Sequence, residues 1–263
     1  MKLKVKNFLS LRNITLPLHD NLTVLVGDTG SGKSNVIRAI DAYKNKYKKE
    51  YNKHEYRIGD DTKIKLKPKP CNIKVFKSVN DFDDVCLTWK PIDDYEFEYI
   101  QNDMEIHTCK YTLERNGYGG VFVRERKSNS LCPLHYIPDV VKRVMSISIL
   151  KYMDIEDKPE LLVIEHPDQN LAKDVDYLVF SALVKMAEDI QTIITVNSCR
   201  FADDHIDYWE EDKFNIVVLH NGKDGTEFKN VRDEYNTRKA FQGWSIDFGL
   251  SSAVFHSGLI SFT

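Results

Sequence analysis

Apolar and polar positions along this chain change rhythm three times, and each change predicts a different kind of element. KLKVKNF (2–8) alternates polar and apolar, as a half-exposed strand does. LTVLV (22–26) is an unbroken β-branched and aliphatic run, the pattern of a strand buried on both faces. From Ser34 to about Tyr47 the period lengthens: Val36, Ile37, Ile40 and Tyr43 recur at helical spacing, and lysines gather toward the carboxyl end. Between residues 62 and 125, TKIKLKP, NIKVFKS, DVCLTWK, YEFEYIQ, EIHTCKYTLE and GVFVRER are short alternating segments broken by Pro, Asn-Asp and Gly. That punctuation predicts an antiparallel meander, an inserted β lobe. Residues 126–138 are polar and interrupted by Pro133 and Pro138, and a helix is expected from about Pro138 to Tyr152. The last third alternates again: strand 161–165 (LLVIE), helix 174–189, strand 192–196 (TIITV) and strand 214–220 (FNIVVLH), with Asn221 and Gly222 marking a turn.

The fold class expected is therefore α/β, a parallel core sheet carrying an antiparallel β lobe. The divisions fall at 1–60 (amino-terminal β segment, loop and first helix), 61–126 (β lobe), 127–230 (helical segment and second half of the core) and 231–263 (tail). Parallel strands joined by helices place ligands at the strands' carboxyl ends.

Composition narrows the class. At 263 residues, with 42% hydrophobic residues, the chain suits one large domain or one domain with an inserted lobe. No apolar run approaches the roughly 20 residues that cross a bilayer, and the basic start MKLKVKNFLS is not a secretory signal. Five scattered cysteines, an odd number without metal-ligand spacing, suit free thiols in a reducing cytoplasm. The net charge of −3 hides a division. Residues 1–77 hold 18 Lys and Arg against 7 Asp and Glu, and the remainder holds 19 against 33. Such a basic portion suits a nucleic-acid partner; solvated helix faces and lysine-guarded edge strands account for it equally well.

The chemistry lies where the first buried strand ends. GDTGSGKS (27–34) fits G-x-x-x-x-G-K-[ST] and stands between a strand and a helix, the setting a phosphate-binding loop requires. Gly27, Gly30 and Gly32 permit the backbone to turn successive N–H groups inward around Asp28, Thr29 and Ser31. The helix beginning near Ser34 and Asn35 adds its positive end. Lys33 supplies a charge to the β- and γ-phosphates, and the Ser34 hydroxyl is a ligand for Mg²⁺, so ATP and Mg²⁺ are the cofactors expected.

The opening KLKVKNFLSLRNITLPLHDNLTVLVGDTGSGKSNVIRAID resembles the amino terminus of ABC-type ATPases of the SMC/RecF/OLD group. LLVIEHPDQNL resembles that group's second acidic motif, and TIITVNS its later strand and switch. The three blocks occur in the group's order. The resemblance implies a compact ATP-binding head that engages a second copy or a heteromeric ATPase or effector partner. It places Glu165 on the acid associated with Mg²⁺, beside Ser34, and His166 where the group has the glutamate that polarises water. Asn197 falls on the switch position, with Asp168 the nearest spare carboxylate. LCPLH (131–135) stands where a glycine-rich signature is expected but has neither its serine nor its glycines, and no clear glutamine switch is present, Gln101 being a weak candidate. About 130 residues separate Ser34 from Glu165, without heptads, so long coiled-coil arms are not expected. Binding without rapid hydrolysis is the implied behaviour, coupled to DNA transactions or phage defence; an inactive regulatory subunit and a P-loop kinase are the rival readings.

Overall fold

The computed structural model describes residues 1–46, 61–78, 80–89, 93–108, 110–115, 120–153, 158–172, 176–196, 201, 208 and 211–233. Its core is a six-stranded sheet built from β3 (Leu22–Val26), β5 (Ile73–Phe76), β9 (Leu161–Glu165), β10 (Gln191–Thr195), β11 (Phe214–Gly222) and β12 (Gly225–Asn230). The spatial order is β12-β11-β3-β10-β9-β5, parallel throughout except for the β11–β12 hairpin. All five residues of β3 are buried because the two faces of the sheet are both covered. Leu22, Val24 and Val26 join Ile164, Ile194 and Ile216 in one apolar cluster. Leu25, Val163, Ile193 and Val217 belong to the cluster on the other face. The side-chain period of two thus sorts one strand between two cores.

On one side lie α1 (Lys33–Lys46) and a three-stranded antiparallel sheet ordered β2-β1-β4, from β1 (Lys2–Phe8), β2 (Leu11–Pro17) and β4 (Lys63–Lys67). The stripe Val36, Ile37, Ile40 and Tyr43 packs with Leu3, Val5 and Leu66. Each such aliphatic side chain contributes about 1.5–3 kcal/mol on burial. The opposite side is helical: α2 (Asn80–Thr88), α3 (Asp94–Thr108), α4 (Asp139–Tyr152) and α5 (Asp176–Met186). A small antiparallel sheet, β6 (Tyr111–Arg115), β7 (Val121–Glu125) and β8 (Ser130–Pro133), completes the fold.

The α/β class and the parallel core agree with the sequence pattern, but much of the expected meander is not β structure. DVCLTWK as far as Thr88, YEFEYIQ and the start of EIHTCKYTLE lie in α2 and α3. Period 2 and period 3.6 coincide over such short windows, and tertiary packing selects the second. Phe82 and Cys86 face the core four residues apart, as do Ile100 and Met104, whereas Tyr95 and Tyr99 stay exposed. The start of α3 carries a readable signal: the Asp93 carboxylate accepts the Glu96 amide at 2.8 Å, half of a capping box. The first two strands of the expected lobe also pair elsewhere. β4 joins β1, and β5 is the parallel edge of the core sheet. Its third actual strand, β8, comes from the polar segment after 126.

Candidate functional site

The phosphate loop leaves the carboxyl end of β3 and enters α1. Its three glycines have φ of 152° (Gly27), 84° (Gly30) and 103° (Gly32), conformations that side chains rarely adopt. Two of them are also fixed by crowding. A methyl group on Gly27 would collide with the Leu219 carbonyl oxygen of β11, and one on Gly32 with the Thr226 hydroxyl of β12. At Gly30 nothing among the described residues stands within 4 Å of the added atom, so there the dihedral alone favours glycine.

Lys33 is buried, and its ammonium donates to the carbonyl oxygens of Gly27 and, at 3.1 Å, of Asp28. Burial pulls its pKa below the ordinary 10.5; the fields of Asp28 and then Asp168 oppose that shift. The cation thus faces the inside of the loop, held by carbonyl oxygens. Ser31 is buried with a hydroxyl that finds no hydrogen-bond partner among the described residues. Asp28, Thr29 and Gly30 form the exposed rim, and Ser34 and Asn35 are half-buried at the start of α1.

Asn35 is held by a contact that no local motif announces. Its amide donates to Ser10 Oγ at 2.8 Å, and that hydroxyl lies 2.7 Å from Thr226 Oγ1. The Thr226 amide in turn donates to the Ser10 carbonyl at 2.9 Å. The β1–β2 turn, the phosphate loop and the β11–β12 turn are therefore tied together by residues 10, 35 and 226. A groove of about 540 Å³ opens beside this junction, lined by Leu9, Ser10, Arg12 and residues 221–225.

The acidic motif ends β9. Strand β10 lies between β3 and β9, with Thr195 in register with both Leu25 and Glu165. Glu165 is half-buried two strand spacings from the loop's own strand, about 10 Å. His166 has a φ of 51°, a left-handed conformation costing about 1–3 kcal/mol in a non-glycine residue. Its amide donates to the Thr195 carbonyl at 3.0 Å and lies 3.1 Å from Thr195 Oγ1. Its Nδ1 stands 3.9 Å from Asp168 Oδ1, a charged pair only when the imidazole is protonated, and has no hydrogen-bond partner among the described residues. Burial lowers the pKa of Arg143, and the fields of Asp139, then Asp168 and Asp83, oppose that shift; Asp168 also acts on Lys33. Arg143 is 1% exposed on α4, and its Nη1 donates to the Pro167 carbonyl at 2.6 Å. Its Nε and Nη2 have no partner among the described residues.

The structure thus brings together Gly27–Asn35 and the neighbouring strand ends carrying Glu165, His166 and Asp168. Asn197 lies outside the described residues. Residues 131–135 form the end of β8 and the start of a 3-10 turn (Leu134–Tyr136), and Gln101 sits mid-helix in α3. Ser10, Thr226, Thr195 and Arg143 escaped sequence reasoning; each acts on a partner far along the chain. Among the described residues no group of three His, Cys, Asp or Glu is arranged to hold a metal, and no helix is long and apolar enough to cross a membrane.

A strand, a glycine loop closing on a lysine and a helix, set in a parallel sheet with the acidic strand two places away, define a P-loop ATPase fold. The AAA ATPase domain family model matches residues 1–117. Among solved structures, the SMC head domain from Thermotoga maritima is 15% identical, with a TM-score of 0.58 over 87% of this chain and 97% of that one. A Smc head bound to the C-terminal winged-helix domain of ScpA is 12% identical, with the same TM-score and coverage. The Pyrococcus furiosus Smc head with an extended coiled coil, bound to the C-terminal domain of ScpA, is 11% identical, with a TM-score of 0.57 over 92% and 98%. No curated protein matches. The chain has the fold of an SMC/ABC-like P-loop ATPase head.

Proposed function

We propose that the chain binds ATP with Mg²⁺ in the 27–35 loop and uses that binding to associate with itself or with a partner head or effector, in a process acting on DNA or against phage. One observation carries the nucleotide reading. Among the described residues the buried Lys33 inside its glycine cradle donates only to backbone carbonyl oxygens, in place of which phosphate oxygens would offer full charge. The β- and γ-phosphates would take Lys33 and the inward amides, and Ser31 would gain the partner its hydroxyl lacks. The Ser34 hydroxyl would hold Mg²⁺, with Glu165 acting on it through water, since this ion keeps several of its waters. The groove at Ser10 and Arg12 would take the nucleoside.

Hydrolysis requires a base near the γ-phosphate. His166 stands at the motif position, where a neutral imidazole is a weaker replacement for a carboxylate because it brings no negative charge to polarise the attacking water. Asp168, already within the field of Lys33, is the spare carboxylate. Slow or altered turnover follows. Association is supported by the fold: relatives of the same shape are described bound to ScpA.

Equilibrium titration of ATP–Mg²⁺ into the wild type and Lys33→Ala tests the binding. A large loss of affinity is expected, and equal affinities would sink the reading. The left-handed His166, whose Nδ1 has no hydrogen-bond partner among the described residues, favours a second reading, a nucleotide-binding subunit without turnover. Robust hydrolysis abolished by Glu165→Gln would reject that version.

A further inference from the structure

The register of β1 against β4 places three pairs of lysines directly opposite one another: Lys2 with Lys67, Lys4 with Lys65, and Lys6 with Lys63. All six are exposed, because the intervening Leu3, Val5 and Leu66 turn inward and are buried in the cluster that includes α1. Facing pairs on adjacent strands have Cβ atoms about 5 Å apart, and successive lysines along each strand are about 6.8 Å apart. The third strand adds no acid. Thr15 and Asn13, exposed and neutral, stand opposite Lys4 and Lys6. Asp20 and Asp61 lie toward the two ends of the face, bonded to the Met1 amine and to Asn7 respectively. None of the six lysines forms an ion pair among the described residues.

Edge protection explains only half of this. Lysine on β4 guards a sheet edge against pairing, but β1 is the middle strand and has no edge to guard. Like charges directly opposite each other destabilise a sheet. Three such pairs in succession form a compact positive plate that an external polyanion would neutralise.

We propose that the solvent face of the β1–β4 pair is a docking surface for the phosphate backbone of duplex DNA. The reading deepens the DNA role proposed above, on a face remote in chemistry from the phosphate loop. Lysine is a flexible point charge without the planar fork that reads guanine, so the contact is indifferent to base sequence. Thr15 and Asn13 add neutral hydrogen bonds of the kind that position a backbone.

Fluorescence anisotropy of the full chain with a labelled duplex of arbitrary sequence, across 50–200 mM salt and without nucleotide, provides the test. With six lysines neutralising phosphates, the slope of log K against log salt is expected near −5, about a thousandfold loss over that range. Lys4→Gln combined with Lys65→Gln is expected to make the slope shallower by about two and leave Tm equal or higher, because a repelling pair is removed. Lys33→Ala is expected to keep wild-type duplex affinity, which separates this surface from the nucleotide site. Equal slopes for the wild type and the double variant overturn the proposal, as does binding to phosphatidylserine vesicles without binding to duplex. A lowered Tm for the double variant also overturns it, since the lysines would then be stabilising one another's surroundings rather than repelling.

Discussion

Arg143 Nη1 donates a 2.6 Å hydrogen bond to the carbonyl of Pro167, so a side chain from the middle of α4 holds the loop that follows the acidic strand. Asp168 sits next along and carries its charge toward both Arg143 and Lys33. A buried cation behind the loop therefore balances a carboxylate beside the phosphate site.

Arg143→Met keeps most of the volume and removes both the bond and the charge. A loss of about 1–3 kcal/mol in denaturant unfolding is expected, as for a hydrogen bond made by a charged group. ATP affinity is expected to fall as well, because one of the cations opposing the Asp168 charge near the phosphates is then gone. Adding Asp168→Asn to that variant should restore affinity without restoring all of the stability. A purely structural role for Arg143 would leave affinity unmoved in titration calorimetry.

The glycines of the loop separate two causes of constraint. Gly30→Ala meets no atom of the described residues within 4 Å and bears the cost of a left-handed dihedral, about 1–2 kcal/mol. Gly27→Ala bears a similar cost and also meets the Leu219 carbonyl oxygen. Thermal unfolding should rank Gly27→Ala well below Gly30→Ala, and the two falling equally would mean that β11 yields freely.

Lys33 makes nucleotide binding sensitive to alkaline pH. Its pKa in the free protein is lowered by burial, and bound phosphates favour the charged form and raise it. Affinity is therefore complete below the lowered pKa and falls as pH rises through it, beginning earlier than the ordinary 10.5 would predict. Proton uptake on binding, measured by calorimetry in buffers of different ionisation enthalpy, should grow across the same window. Affinity that stays flat as pH rises toward the ordinary lysine value of about 10.4 would contradict it.

The cysteines differ in reactivity. Burial pushes the Cys86 thiol up to about 12, and its sulfur lies 3.4 Å from Met145 Sδ in the core. Cys71 is exposed. Alkylation of the native protein followed by peptide mapping should label Cys71 and spare Cys86 until the protein unfolds. Early labelling of Cys86 would show that α2 opens locally.

Gly27 to Ser34 was legible from sequence because the chemistry is local: a phosphate cradle needs particular dihedrals in consecutive residues. The buried strands β3, β9, β10 and β11 were legible for a related reason, since burial on both faces demands unbroken apolar runs. Helices α2 and α3 were misread as strands because YEFEYI satisfies two periods at once, and only the core behind Ile100 and Met104 distinguishes them. The Asp93–Glu96 capping pair was the local signal that pointed the right way.

Sequence by itself determined the phosphate loop, its placement between strand and helix, and an α/β core. Tertiary structure decided what surrounds that loop: Ser10 and Thr226 meeting Asn35, Arg143 reaching Pro167, and the strand order that sets β10 between β3, which leads into the loop, and β9, which ends in Glu165. It also decided that Lys2, Lys4 and Lys6 face Lys67, Lys65 and Lys63. The division has a physical cause. Backbone dihedrals and side-chain periods are properties of neighbours in the chain, whereas strand register and buried polar contacts arise only when distant segments share one core.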